Sequence, residues 1–182
     1  MFHYSYMQKE LHPILCLIGE SGGGKTSLIL EAVKRLPERL AMIKSITTRP
    51  QREQDDVATY DFISQDDFET REREGRLLQS VAAFGNRYGT DRDYVNNLLK
   101  DRIGIFVMVE EGIRQYQEAG YDVRIVRVIP HGHIPRDGRT EEDAKRKKLF
   151  GLKADVTIVN DFALGGFEKA VEELVEFAKT LS

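Results

Sequence analysis

Between positions 19 and 26 the chain reads Gly-Glu-Ser-Gly-Gly-Gly-Lys-Thr, residue types whose spacing suits the holding of phosphate. Gly19, Gly22, Gly23 and Gly24 let backbone N–H groups converge on one anion, because no side chain blocks the approach and unusual φ values cost little. Lys25 is spaced to reach the β- and γ-phosphates of a nucleotide such as ATP, and the Thr26 hydroxyl to ligate Mg2+. Glu20, Ser21 and Ser27 complete the segment that would surround the phosphates. The helix that must follow adds its positive end to the same place. A second set of anion-binding candidates lies downstream. Arg49 and Arg52 can clamp a phosphate through fork-shaped hydrogen bonds, and the hydroxyls of Tyr60 and Tyr88 supply neutral donors. Taken singly, loop arginines and hairpin tyrosines are ordinary.

The loop needs a strand before it and a helix after it, and the sequence provides both. Ile14 to Ile18 is an unbroken apolar run that reads as a buried parallel strand. Leu28, Ile29, Ala32, Val33 and Leu36 recur at helical spacing, and Pro37 closes the helix. Residues 41–48 read as one further strand leading to Arg49, and 53–59 as a polar loop. Tyr60 to Ile63 is a short strand, and Ser64 with Asp67 opens a helix that Gly75 ends. Leu77 to Phe84 reads as a strand turning at Gly85-Asn86 into Arg87-Tyr88-Gly89. Thr90 with Asp93 reads as a capping box before a helix bearing Tyr94, Val95, Leu98 and Leu99.

Ile103 to Val109 is a buried strand, Glu110 and Glu111 open a helix, and Gly120 stands where it should stop. Val123 to Ile129 is a strand ended by Pro130. Residues 131–139 form a Gly/Pro-rich loop, Thr140 caps a short basic helix over 141–149, and Val156 to Val159 is the last strand. Phe167, Ala170, Val171, Leu174, Val175, Phe177, Ala178 and Leu181 give the last helix a core face. Alternating strands and helices predict a three-layer α/β fold with a mostly parallel central sheet. The hairpin-rich stretch over about 41–90 reads as a small lobe inserted at the sheet's C-terminal edge, where such folds bind ligands.

The chain has 182 residues, enough for one domain with a full core, here 14–182, preceded by an extension over 1–13 in which Met7 is a candidate start. A net charge of −3 gives no global basic field, so nucleic acid is not the expected partner. The single cysteine, Cys16, lies in the apolar first strand, reads as a small core residue and fits a cytoplasmic setting. No apolar run approaches the ~18 residues of a membrane span.

Five segments in order carry a resemblance to the guanylate kinase family of nucleoside monophosphate kinases: Gly19 to Thr26, Ser45-Ile46-Thr47-Thr48-Arg49-Pro50-Gln51-Arg52, Tyr60-Asp61-Phe62-Ile63-Ser64, Gly85-Asn86-Arg87-Tyr88-Gly89-Thr90 and Val156-Thr157-Ile158-Val159-Asn160-Asp161. The resemblance implies the P-loop NTPase fold and transfer of the ATP γ-phosphoryl group to GMP or dGMP. It implies that Lys25 and Thr26 hold ATP·Mg2+, that Arg49, Arg52, Tyr60 and Tyr88 hold the acceptor phosphate, and that Ser45 touches the base. It also implies a lid, about 131–153, whose Arg136, Arg139 and Arg146 are candidates to close over the transferring group. Three positions depart from the family pattern. Gln79 stands where a base-reading glutamate is usual, and Val107 and Val109 stand where two acids are usual, with Glu110 or Glu111 as substitutes. The lid segment is also short. A kinase of another acceptor, such as another nucleotide or ribose 1,5-bisphosphate, and a non-catalytic phosphopeptide-binding module are the competing readings. The intact phosphate loop weighs against the second.

Overall fold

The computed structural model describes residues 11–51, 59–83, 85–132 and 151–181. The apolar run ahead of the phosphate loop is strand β1 (Ile14–Gly19), and Ile14 to Ile18 are all buried. They are buried because β1 is the middle of a five-stranded parallel sheet. On one side it pairs with β7 (Ile103–Val107), which pairs in turn with β2 (Leu40–Met42); on the other it pairs with β8 (Val123–His131), which pairs with β9 (Val156–Asp161).

Alternation along the strands sends side chains to two faces. Leu15, Leu17, Val126, Val128 and Ile158 meet Leu28, Ile29 and Ala32 of α1 (Lys25–Arg35) and Ala170, Val171 and Leu174 of α5 (Gly166–Thr180). Ile14, Cys16, Ile18, Phe106 and Ile125 meet Val95 and Leu99 of α3 (Arg92–Leu99) and Ile113 and Tyr116 of α4 (Glu110–Glu118). Helices on both faces of a parallel sheet make the three-layer α/β arrangement that the alternating pattern requires. Burial pushes the Cys16 thiol far above its ordinary range, in keeping with a core residue.

A second, four-stranded sheet has the order β4-β3-β6-β5, built from β3 (Ser45–Thr47), β4 (Tyr60–Phe62), β5 (Leu77–Ala83) and β6 (Asn86–Asp91). The hairpin β5–β6 turns at Gly85, whose φ of 72° is left-handed. Helix α2 (Gln65–Arg73) begins as expected, the Ser64 hydroxyl accepting the Asp67 N–H at 3.1 Å. Its Phe68 is fully buried and lies against Gly89, while Arg87 stacks over the Phe68 ring.

Four local expectations need correction. Residues 41–48 are two strands in different sheets. The Ile43 N–H still bonds to Ile105 on the main sheet, but the Ser45 N–H bonds to Thr59, so the chain changes sheets between them. The strand from Ile103 ends at Val107, and Val109 becomes the N-cap of α4. Strand β8 passes through Pro130 to His131, paired with Asn160 and Asp161 of β9. Proline is tolerated there because pairing with β1 has already ended at Gly19–Val128, and its ring lies against Gly23 instead. The cap of α3 is Asp91, whose Oδ1 accepts the N–H groups of Asp93 and Tyr94 at 3.0 and 3.1 Å; Thr90 belongs to β6 and bonds Tyr116.

Candidate functional site

The phosphate loop leaves the C-terminal end of the central strand and enters α1. Gly19 adopts φ 146° because β8 passes so close that a Cβ there would fall 2.3 Å from the Val128 carbonyl oxygen. Gly24 adopts φ 81°, and a Cβ on it would fall 2.4 Å from Nδ2 of Asn160. Asn160 is fully buried, and its Nδ2 donates to the Gly23 carbonyl at 3.0 Å. The last strand therefore ties down the loop from below. Helix α1 has Gly24 as its N-cap, no side-chain cap and no acid in its first turn, so its positive end is not neutralised from within. Lys25 Nζ donates to the carbonyls of Gly19 at 3.0 Å and Glu20 at 2.6 Å, which folds the ammonium over the loop. Thr26 and Ser27 are exposed beside it, and Glu20, Ser21 and Gly22 form the outer turn.

The second sheet gathers the other candidates on one face. Directly paired residues point the same way, and the registers Ser45–Tyr60, Thr47–Phe62, Thr47–Tyr88, Val81–Tyr88 and Gln79–Thr90 link Ser45, Tyr60, Tyr88 and Gln79 across four strands. Arg49 follows β3 and is 8% exposed, its guanidinium 5.2 Å from the centre of the Tyr60 ring and 5.4 Å from that of Phe62. The Tyr60 and Tyr88 rings meet edge to face at 5.9 Å. Thr47, fully buried, holds the turn into Arg49: its hydroxyl accepts the Arg49 N–H at 3.1 Å and donates to the Arg87 carbonyl at 2.9 Å. A cation this deeply placed among aromatic rings suits a doubly charged anion.

A bulge between Leu77 and Gln79 turns both Leu78 and Gln79 inward toward α4. Leu78 joins the core, whereas Gln79 is 2% exposed and its Oε1 has no hydrogen-bond partner among the described residues. That oxygen lies near the first turn of α4, 3.5 Å from where a Cβ of Gly112 would stand. Glu110 opens the same turn, with its carboxylate held by Arg114 at 2.5 and 3.2 Å. Val107 packs on the main core.

Of the residues singled out from sequence, the structure brings the loop residues together at one end of β1, and Ser45, Arg49, Tyr60, Gln79 and Tyr88 together on the second sheet. Glu110 opens the helix whose Gly112 lies near the Gln79 amide, but its own carboxylate is turned to Arg114. Arg52, Arg136, Arg139, Arg146 and the helix over 141–149 lie outside the described residues. Two positioning residues were not distinguished from the sequence. Thr47 and Asn160 both sit inside the quoted segments, but only their hydrogen bonds to Arg87 and Gly23 reveal what they hold.

The two regions share an edge. Strand β2 is parallel to β1, so the chain leaving β2 for β3 does so at the C-terminal edge where the phosphate loop lies. A phosphate loop on the central parallel strand, with an arginine–tyrosine face at the same edge, defines a P-loop phosphotransferase of the nucleoside monophosphate kinase type. The family model described as guanylate kinase matches residues 12–179, and the chain belongs to that family. A guanylate kinase of Vibrio vulnificus strain YJ016 is 30% identical over 152 residues, covering 78% of this chain and 73% of its own. One from Rubrobacter xylanophilus is 26% identical over 179 residues, covering 92% and 94%. The crystal structure of guanylate kinase from Anaplasma phagocytophilum shares the fold with a TM-score of 0.67 at 19% identity, covering 94% of this chain and 87% of that one.

Proposed function

We propose that this protein transfers the γ-phosphoryl group of ATP to GMP or dGMP. The observation that supports the reading is a pair of clusters suited to anions at one sheet edge: the glycine loop with Lys25, and Arg49 buried against Tyr60 with Tyr88 beside it. Membership of the guanylate kinase family supports the acceptor. In this reading the loop's N–H groups and the first turn of α1 bind the donor phosphates. Lys25 exchanges its carbonyl partners for phosphate oxygens when ATP arrives. Arg49 with Arg52 grips the acceptor phosphate in a bidentate manner, while Tyr60 and Tyr88 add neutral donors and Ser45 reaches the base. Arg136, Arg139 and Arg146 supply charge over the transferring group.

Phosphoryl transfer through a loose transition state needs alignment and charge stabilisation more than a nucleophilic side chain, and this set of residues offers that. Among the described residues no group of three or more His, Cys, Asp or Glu side chains could hold a metal ion. The exposed Thr26 hydroxyl at the start of α1 would be the protein's ligand to Mg2+ brought in on the phosphates. When bound it would neutralise charge on the phosphate oxygens. No described helix is long and apolar enough to cross a membrane, and the buried thiol of Cys16 supports a cytoplasmic site of action.

The test is ADP release with ATP·Mg2+ and a panel of GMP, dGMP, AMP, UMP and ribose 1,5-bisphosphate. Saturable turnover with GMP or dGMP above the other acceptors is expected. Turnover confined to a non-purine acceptor would overturn the assignment.

A further inference from the structure

The buried amide of Gln79 carries an inference that rests on the acceptor reading above and narrows it. Its Oε1 is sealed from solvent and has no hydrogen-bond partner among the described residues, at the place where the second sheet meets the first turn of α4. A buried acceptor of that kind is costly unless a ligand brings a donor to it. Guanine presents two donors side by side on its edge, N1–H and the 2-amino group. A carboxylate can accept from both, but an amide has one acceptor atom and its other end is itself a donor. Among the described residues, the two positions where the family usually places further acids do not put a second carboxylate beside the Gln79 amide. Val107 is apolar and packs on the main core, and Oε1 of Glu110 is turned to Arg114. The amide instead matches a base edge that offers one donor beside one acceptor, as N1–H and the 6-oxo group do.

We infer that the acceptor pocket reads the 6-oxo/N1–H edge of a purine through Gln79 and leaves the 2-amino group unread, so that inosine monophosphate is an acceptor comparable to GMP. The 2-amino group gains no hydrogen bond from the protein at this edge, so a base lacking it loses little.

The experiment compares kcat/KM for IMP and GMP at saturating ATP·Mg2+ in the wild type and in Gln79→Glu, with calorimetric binding of both nucleotides to the wild type. Wild-type values within about tenfold of each other are expected, with matching dissociation constants. In Gln79→Glu the ratio should move toward GMP by roughly tenfold or more, the scale of one charged hydrogen bond. A wild type that prefers GMP over IMP by more than a hundredfold would overturn the inference, as would a folded Gln79→Glu whose ratio is unchanged. The wild-type binding comparison decides the matter if the buried carboxylate prevents folding. Failure of the acceptor reading itself looks different: neither purine nucleotide would be phosphorylated or bound, while ATP still binds.

Discussion

At the residue scale, charge placement dominates. Lys25 folds back over the loop, its ammonium held by two carbonyls at 3.0 and 2.6 Å. Replacing it with Met removes a charge that would face the transferring group, and kcat should fall by on the order of 10²-fold or more. Circular dichroism should show the fold intact, since the side chain lies over the loop and belongs to neither hydrophobic core. Arg49 makes a different demand. Its guanidinium is flat, 8% exposed and set against the Tyr60 and Phe62 rings. Lysine keeps the charge but loses both the stacking plane and the two-pronged geometry. Arg49→Lys should therefore raise KM for the acceptor tenfold or more and leave KM for ATP within about twofold; steady-state kinetics with each substrate varied separates the two. Both residues were legible from their spacing, because a motif records which side chains share a loop. The state of Gln79 was not: the sequence showed an amide, and only the packing of β5 on α4 showed that its oxygen is buried without a partner among the described residues.

At the element scale, the loop keeps its shape through strand β9. Asn160 Nδ2 bonds the Gly23 carbonyl, and Gly24 has room beside it only because it lacks a Cβ. Asn160→Ala breaks that bond and should weaken ATP binding about tenfold while acceptor binding stays within about twofold, as measured by calorimetry with each nucleotide; a buried hydrogen bond is worth roughly 1–3 kcal/mol when one partner is left unpaired. Helix α3 gives a test of stability alone. The Asp91 carboxylate accepts two N–H groups of the first turn, so Asp91→Ala should lower unfolding free energy by about 1 kcal/mol in urea titrations, with little change in kcat. Thr90→Val would instead disturb its bond with Tyr116 and leave the cap intact. Thr90 and Asp91 are adjacent and both are good caps by type. Which one caps was decided by β6, whose register with Gln79 turns Thr90 inward.

At the scale of the whole molecule, the proposed function assigns one ligand to each of two sites at one sheet edge, and each ligand should stabilise the fold through its own site. By linkage, a nucleotide at 100 times its dissociation constant adds about 2.7 kcal/mol. In a domain of this size that corresponds to roughly 5–10 °C in Tm. ATP·Mg2+ should give such a shift in both the wild type and Arg49→Lys, whereas the shift from GMP at the same concentration should shrink in the variant; differential scanning fluorimetry reads both. Loss of the two shifts together would mean the sites are not separate. By itself the sequence determined the phosphate loop, the strand and helix around it, the alternation that makes a three-layer α/β fold, and the family. Each of these is written in residues close together in the chain, where periodicity and glycine spacing act directly on the backbone. The tertiary structure decided what depends on partners distant in sequence. It split residues 41–48 between two sheets, because alternation is the same whichever sheet a strand joins. It carried β8 through Pro130, because the neighbour that would have needed that N–H had already ended. It also brought Asn160 under Gly23 and left the Gln79 oxygen without a donor among the described residues, because hydrogen bonds between residues far apart in the chain are set by packing and leave no periodic trace.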